Sequence, residues 1–335
     1  MKKKVLITGI TGQLGSYLAE KFLDMNYETY GIIRRSSSPT PTLRIDHIFD
    51  KLHLVYSDIT DGISLDGVFH DIKPDYIINA AAQSHVGISF SIPEYTAQTD
   101  AVGVLRVLES MRKHCPDSKL IQLSTSELFG RVLEIPQTEK TPPNPVSPYS
   151  AAKLYAYNLT KIYREAYSMF CSNAICFNME SPRRGHNFIT KKITLGLCDF
   201  IKNEKILKLG NLNSLRDWGF CPEYCDGLIL MLNQKNSDDF VFSTGENHTI
   251  REFVEEAAKY VNMDIIWEGI DIEEKGIDSK TGKIVIEVDE KYFRPLEVDT
   301  LLGNSQKAFQ ILGWEAKTKF KELVKIMMEY DLKNN

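Results

Sequence analysis

No stretch of the chain holds the roughly 20 consecutive apolar residues that a membrane-spanning helix requires, so no membrane span is expected. A basic excess is also missing. The 40 Lys and Arg residues stand against 45 Asp and Glu, a formal net charge of −5. That balance creates no broad positive field, so neither nucleic acid nor an anionic membrane is an expected partner. Affinity for a phosphorylated ligand must therefore come from a local site. Cysteine is sparse: Cys115, Cys171, Cys176, Cys198, Cys221 and Cys225 form no C-x-x-C pair and no His-rich cluster. They read as reduced thiols of a cytoplasmic protein, with no metal expected. The start, "MKKKVLITG", has lysines before an apolar run, but Gly9 cuts the run too short for a signal peptide. No internal repeat or low-complexity tract is present.

What is there is an ordinary globular composition. The 335 residues are 43% hydrophobic and 25% charged, enough for one large or two intimately joined domains. Through the first half, short apolar runs alternate with helical patterns. "KVLITG", "YETYGIIR", "KLHLVYSDI", "PDYIINAAA", "SKLIQLS" and "SNAICFN" read as strands. Between them "GSYLAEKFLDMN", "LDGVFHDIK", the region 93–113 and "SPYSAAKLYAYNLTKIYREAYSMF" read as helices. Strands alternating with helices predict parallel pairing. Near-continuous apolar strands predict cover on both faces. The fold class is α/β, a doubly wound parallel sheet of the Rossmann type with a smaller C-terminal α/β lobe.

The rhythm breaks after about residue 179. The expected division is a dinucleotide-binding domain over 1–178, with later segments returning to it, and a substrate lobe mainly over 179–335. "KILKLGNLNSLRDWGF" reads as a hairpin-like region, and "DDFVFSTG" as a strand. "TIREFVEEAAKYV" reads as an amphipathic helix with Thr249 as N-cap and Glu252 completing a capping box. "GIDIEEKGIDSKTGKIVIEVDEKYF" reads as an exposed loop or ribbon, and "FKELVKIMMEYDL" as a terminal helix.

"TGITGQLG" follows the first strand and opens a helix, with Gly9, Gly12 and Gly15 evenly spaced. Glycine permits the tight turn, lets the backbone approach a pyrophosphate and lets the helix pack closely on the strand. The helix N-terminus favours the negative charge. A dinucleotide site that prefers NAD usually ends its second strand in an acid for the ribose hydroxyls. Here the strand ends "GIIRRSSS", with Arg34, Arg35 and Ser36 and no carboxylate. Two guanidiniums and a hydroxyl suit a 2′-phosphate, so NADP is the expected cofactor.

"YSAAK" places Tyr149 and Lys153 one helical turn apart on one face. A phenol is a poor base at neutral pH unless a nearby cation stabilises its anion. "STSELFG" then sets Glu127 beside Thr125 where a buried strand ends. An acid at that place is either a solvated loop residue or a group that moves a proton.

These motifs resemble the extended short-chain dehydrogenase/reductase family, and within it the GDP-mannose 4,6-dehydratase branch. The resemblance covers nearly the whole chain, through "GITGQLGSYLAE", "AAQSHVGISFSIPEYTA", "STSELFG", "SPYSAAKLYAY", "FNMESPRRG", "ITKKIT", "LGNLNSLRDWG" and "YFRPLEVDTLLG". It implies a GDP-linked sugar as substrate and a three-stage reaction. C4 is oxidised by hydride transfer to NADP⁺, water is eliminated across C5 and C6, and hydride returns to C6. Tyr149 is the implied base for the C4 hydroxyl, Lys153 holds the phenolate and the ribose, and Thr125 bonds the C4 oxygen. Glu127 is the implied base at C5 and acid at the C6 hydroxyl, a double role open to a carboxyl group.

The same resemblance implies cofactor contacts at Thr11, Gln13, Leu14, Asp58, Ile59, Ala80, Ala81, Ala82, Gln83, Ser84, Tyr95, Met179 and Arg184. It implies substrate contacts at Ser84, Asn178, Arg216, Arg294 and Glu297. "RRSSSPTPTLRIDHIF" resembles a segment that joins subunits around the cofactor phosphate, which implies a homotetramer or homodimer. Leu14 stands where the branch has aspartate, and Met179 where it has histidine. These departures leave the sugar open between mannose, a manno-heptose and an aminosugar. A C4 oxidoreductase or epimerase also stays open.

Overall fold

The computed structural model describes residues 2–37, 41–293 and 296–335. In chain order the strands are β1 (Lys4–Thr8), β2 (Glu28–Ile33), β3 (His53–Tyr56), β4 (Tyr76–Asn79), β5 (Lys119–Thr125), β6 (Phe170–Cys176), β7 (Asn178–Glu180), β8 (Leu207–Leu209), β9 (Leu215–Arg216), β10 (Trp218–Phe220), β11 (Phe240–Phe242), β12 (His248–Thr249), β13 (Ile265–Glu268), β14 (Lys275–Asp278) and β15 (Ile284–Val288). Seven of them make one parallel sheet in the order β11-β6-β5-β4-β1-β2-β3.

Helices cover both faces of this sheet, and the side chains show it directly. Val5 and Ile7 point into a core shared with the helices Gln13–Asp24 and Cys221–Leu232. Leu6, between them, points into a second core with the helices Gly62–Ile72, Gly103–His114 and Pro148–Tyr167. Tyr76 and Ile78 against Ile77, and Ile121 against Leu120, repeat the alternation. Two buried faces explain why the central strands are nearly continuously apolar.

The C-terminal half builds a smaller layer, with β13, β14, β15 and β8 in a four-stranded sheet under the helices Ile189–Asn203, Ile250–Lys259 and Phe320–Asn334. It also feeds β11 back into the main sheet beside β6. Arg164 fixes that edge through two bonds to Asp239, at 2.9 and 3.0 Å, while Asp239 also accepts the Asn173 N–H at 2.8 Å. The Thr249–Glu252 capping box forms as expected.

Two expectations are corrected. Residues 205–220 are not a hairpin: β8 pairs with β15, β9 with β12 and β10 with β7. Residues 269–293 are not merely exposed, because Val285 and Ile286 are fully buried in the small sheet. In both cases partners far away in sequence decide the outcome. The helix expected over 93–113 starts at Pro93, passes through a widened turn at Gln98–Val102 and continues as Gly103–His114.

Candidate active site

The glycine loop sits where the sheet order reverses, between β1 and β4. Gly9 has φ of +68°, and a Cβ there would lie 2.9 Å from the Ala80 carbonyl and the Ala81 nitrogen. A Cβ on Gly15 would lie 2.3 Å from the Gly9 carbonyl oxygen. Only glycine lets the loop, the following helix and the end of β4 close up this far. Gly12 caps the helix without any side-chain bond, so its first N–H groups remain for an anion. The loop, its neighbour strand and the helix N-terminus fit a dinucleotide.

Other expected cofactor residues turn out to brace this cradle. Gln13 donates from Nε2 to the Met179 carbonyl at 2.9 Å and accepts from Ser181 Oγ at 2.7 Å, which ties β7 to the loop. Ala81 N–H donates to Thr8 Oγ1 at 3.0 Å. Gln83 Oε1 accepts the His85 N–H at 2.8 Å. Asp58 uses Oδ1 on the Thr60 N–H and hydroxyl, at 2.8 and 2.7 Å, and Ile59 is buried against Gly103. At the end of β2, Arg34 and Arg35 are exposed; Arg34 donates to Tyr95 Oη at 2.6 Å and Arg35 bends to the Ser36 carbonyl. Arg294 lies outside the described residues.

A cavity of about 470 Å³ opens beside the cradle and brings together most of the remaining candidates, though not Lys153. Ser84, Thr125, Glu127, Tyr149, Asn178, Met179, Arg184, Arg216 and Glu297 all line it. Thr125 ends β5, and its Oγ1 accepts the Glu127 N–H at 3.2 Å, which sets the short turn that presents Glu127. Tyr149 is held by the N-terminal turn of the helix Pro148–Tyr167, whose Ser147–Ser150 capping box and Pro148 fix its start. The Thr125 hydroxyl lies close enough to the Tyr149 phenol to oppose the rise in its pKa.

The protein alone does not make Tyr149 acidic. Burial raises its pKa first, the Asp100 charge second, and Glu127 adds to the rise; Thr125 and Arg184 oppose it. The expected help from Lys153 is not the dominant local effect. Lys153 is itself buried, which lowers its pKa, and its ammonium donates to the Leu123 carbonyl at 2.8 Å, with the Tyr149 ring centroid 5.9 Å away. Arg184 stacks on Phe188 at 3.6 Å and pairs with Glu180 at 3.1 Å. Arg216 donates to the Val298 carbonyl at 2.7 Å and pairs with Glu297 at 3.1 Å, so these two expected substrate residues hold each other.

Leu14 and Met179 pack into one apolar cluster with Cys221, Tyr224 and Cys225. The two departures from the branch pattern thus join the same apolar core.

Sequence reasoning missed several residues. Lys192 and Tyr292 line the cavity, the Lys192 ammonium 3.2 Å from the Tyr292 ring centroid. Burial lowers the Lys192 pKa. "ITKKIT" was a visible signal, but the contact with a ring a hundred residues away was not. Arg44 donates to the Arg183 carbonyl at 2.8 Å and the Thr11 carbonyl at 3.4 Å, and burial beside Arg183 and Arg184 lowers its pKa. Three guanidiniums therefore gather by the glycine loop.

Sheet order, glycine cradle and the buried Tyr149–Lys153 pair define an enzyme of the extended short-chain dehydrogenase/reductase class. Solved structures agree on the fold: a UDP-glucose 4-epimerase from Thermotoga maritima matches with a TM-score of 0.82 at 21% identity, covering 99% of each chain. The dTDP-glucose 4,6-dehydratase of Bacillus anthracis matches at 0.81 and 22% identity, covering 99% of this chain and 97% of that one. Within the class, residues 6–327 match the model of the GDP-mannose 4,6 dehydratase family, and the chain belongs to that family. GDP-mannose 4,6 dehydratase of Homo sapiens is 48% identical over 98% of this chain and 91% of its own length. The Vibrio cholerae enzyme of the same name is 46% identical over 99% and 95%.

Proposed function

We propose that this chain is a GDP-sugar 4,6-dehydratase acting on GDP-mannose or a close relative, with NADP as resident cofactor. The observation that carries the reading is the convergence of Thr125, Glu127 and Tyr149 on one cavity beside the glycine cradle. When bound, the nicotinamide supplies a reversible hydride acceptor next to that cavity. Tyr149 takes the C4 hydroxyl proton, guided by Thr125, and the resulting C4 ketone acidifies the C5 proton. Glu127 removes that proton and gives it to the departing C6 hydroxyl, which leaves as water. The C5=C6 bond so formed accepts hydride at C6 and a proton at C5. One carboxyl group can do both jobs because it alternates between base and acid.

Arg34, Arg35 and Ser36 support NADP over NAD, since no carboxylate follows β2 to bind a free 2′-hydroxyl. Arg216, Glu297 and Arg294 are assigned to the nucleotide sugar. The assembly is a homotetramer joined through the segment after β2, and the protein works in the cytoplasm; light scattering that gives a monomer would refute that assembly. No described helix is long and apolar enough to cross a membrane.

Incubation with GDP-mannose and NADP⁺ tests the activity. A 4-keto-6-deoxy product without net cofactor reduction is expected. Persistent NADPH with the C6 hydroxyl retained would refute dehydration. Mass spectrometry with GDP-hexose, GDP-heptose and GDP-aminosugar substrates identifies the sugar.

A further inference from the structure

Asp100 is 1% exposed, in the widened turn Gln98–Val102 that packs against the helix Pro148–Tyr167. Its Oδ1 accepts the Gln83 N–H at 2.7 Å. Its Oδ2 is buried with no hydrogen-bond partner. Burying a carboxylate with half its acceptors unsatisfied is unfavourable, and the dehydration steps above give it no task. Something in its surroundings must account for its presence.

The helices Pro93–Ala97, Gly103–His114 and Pro148–Tyr167 pack against this turn, and the charge that reaches Asp100 comes from the last of them. The facing helix presents Lys153, the charge that most opposes the burial of Asp100, and Tyr149. The loop after β4 presents the Gln83 N–H. Cys176 of β6 lies behind Lys153, and Tyr149 also feels Glu127 and Arg184. Lys153 directs its ammonium to Leu123 and makes no ion pair with Asp100, so the coupling acts through space. Little water penetrates there, and charges interact strongly where the effective dielectric is low. Burial lifts the Asp100 pKa to about 7, so the group can change charge under ordinary conditions.

We propose that Asp100 is a positioning residue whose protonation state governs how readily Tyr149 exchanges its proton, while Oδ1 anchors the cofactor-side loop at Gln83. A charged Asp100 strengthens the Lys153 ammonium and opposes the phenolate; a neutral one does the reverse. Tyr149 must both take and release a proton in each turnover. A neighbour able to switch charge eases both directions, which a fixed charge cannot do. The inference rests on the reading of Tyr149 as base.

Two variants separate charge from scaffold. Asp100→Asn keeps an oxygen acceptor for the Gln83 N–H and removes the charge; Asp100→Leu removes both. The acid limb of the kcat/KM profile should move about one pH unit lower in Asp100→Asn, with NADP⁺ affinity held. Asp100→Leu should shift it likewise and bind NADP⁺ more weakly. An unmoved limb in Asp100→Asn would overturn the proposal, as would equal loss of NADP⁺ affinity in both variants.

A measurement free of turnover uses carboxyl ¹³C NMR of the cofactor-free protein, with Asp100 assigned by the missing signal in Asp100→Asn. A midpoint near neutral that rises in Lys153→Met is expected. A midpoint in the ordinary carboxylate range, or one indifferent to Lys153→Met, would sink the idea. Failure of the dehydratase reading would instead show as absent 4-keto product with the NMR titration intact.

Discussion

Lys153 Nζ donates to the Leu123 carbonyl oxygen at 2.8 Å. The bond joins the helix that carries Tyr149 to β5, the strand that ends in Thr125 and leads to Glu127. Lys153 therefore fixes the two halves of the proposed proton-transfer machinery against each other before any ligand enters. Replacing it by methionine keeps the stem and removes the donor. We expect Lys153→Met to lower kcat by at least about 100-fold, in the range of lost acid–base assistance. Arginine should not rescue it, because a planar fork does not reproduce the single buried ammonium that bonds Leu123. Steady-state kinetics on both variants check this.

Glu127→Gln should separate the stages of the reaction. The amide keeps the shape and the bond from the Glu127 N–H to Thr125, but cannot accept a proton. Cofactor binding and C4 oxidation should persist, and elimination should fall by roughly 10²–10⁴-fold. Rapid-mixing absorbance should then show reduced cofactor accumulating. Normal dehydration by this variant would contradict the assignment.

Arg35→Ala tests the cofactor assignment. Losing a charge-assisted bond to a 2′-phosphate costs about 1.5–3 kcal/mol, so the preference for NADP over NAD should drop by roughly 10- to 100-fold. Equal affinity for the two cofactors in both proteins would refute it. Because Arg34 is engaged with Tyr95, its own alanine variant should show the smaller change in selectivity.

Asp100→Asn should stabilise the fold, with a defined pH dependence. Folding raises this carboxyl from 3.8 to about 7, so the native state binds its proton more tightly than the unfolded chain does. Its contribution to stability is full below the unfolded value and is lost as pH rises to about 7. Asparagine has no such loss. Its advantage should grow from about pH 4 to about 7 and then stay flat, reaching on the order of a few kcal/mol. Urea unfolding at pH 5 and pH 8 measures it; a constant difference would show that the charge is not strained.

What could be read from the chain was what is local. The glycine spacing in "TGITGQLG" and the one-turn spacing of Tyr149 and Lys153 are set by a few adjacent residues, and the backbone realises both. The apolar strands announced two-sided burial before any partner was known. The short strands around Leu215 and Trp218 were misread because each pairs with a segment outside its own neighbourhood. Asp100 escaped notice for a related reason: its interest arises from Gln83 and Lys153, which approach it only once the chain is folded. Arg44 is similar, since nothing in "TLRIDHIF" foretells Arg183 beside it.

The return of β11 to the side of β6 has a practical outcome for anyone who wants the cofactor half alone. A chain cut after β7 would lose its outermost strand and leave the β6 backbone as a bare edge, with Asp239 gone from under Arg164. Unprotected edges of this kind invite pairing between molecules. Such a fragment is expected to aggregate, so the nucleotide half has to be studied within the intact polypeptide.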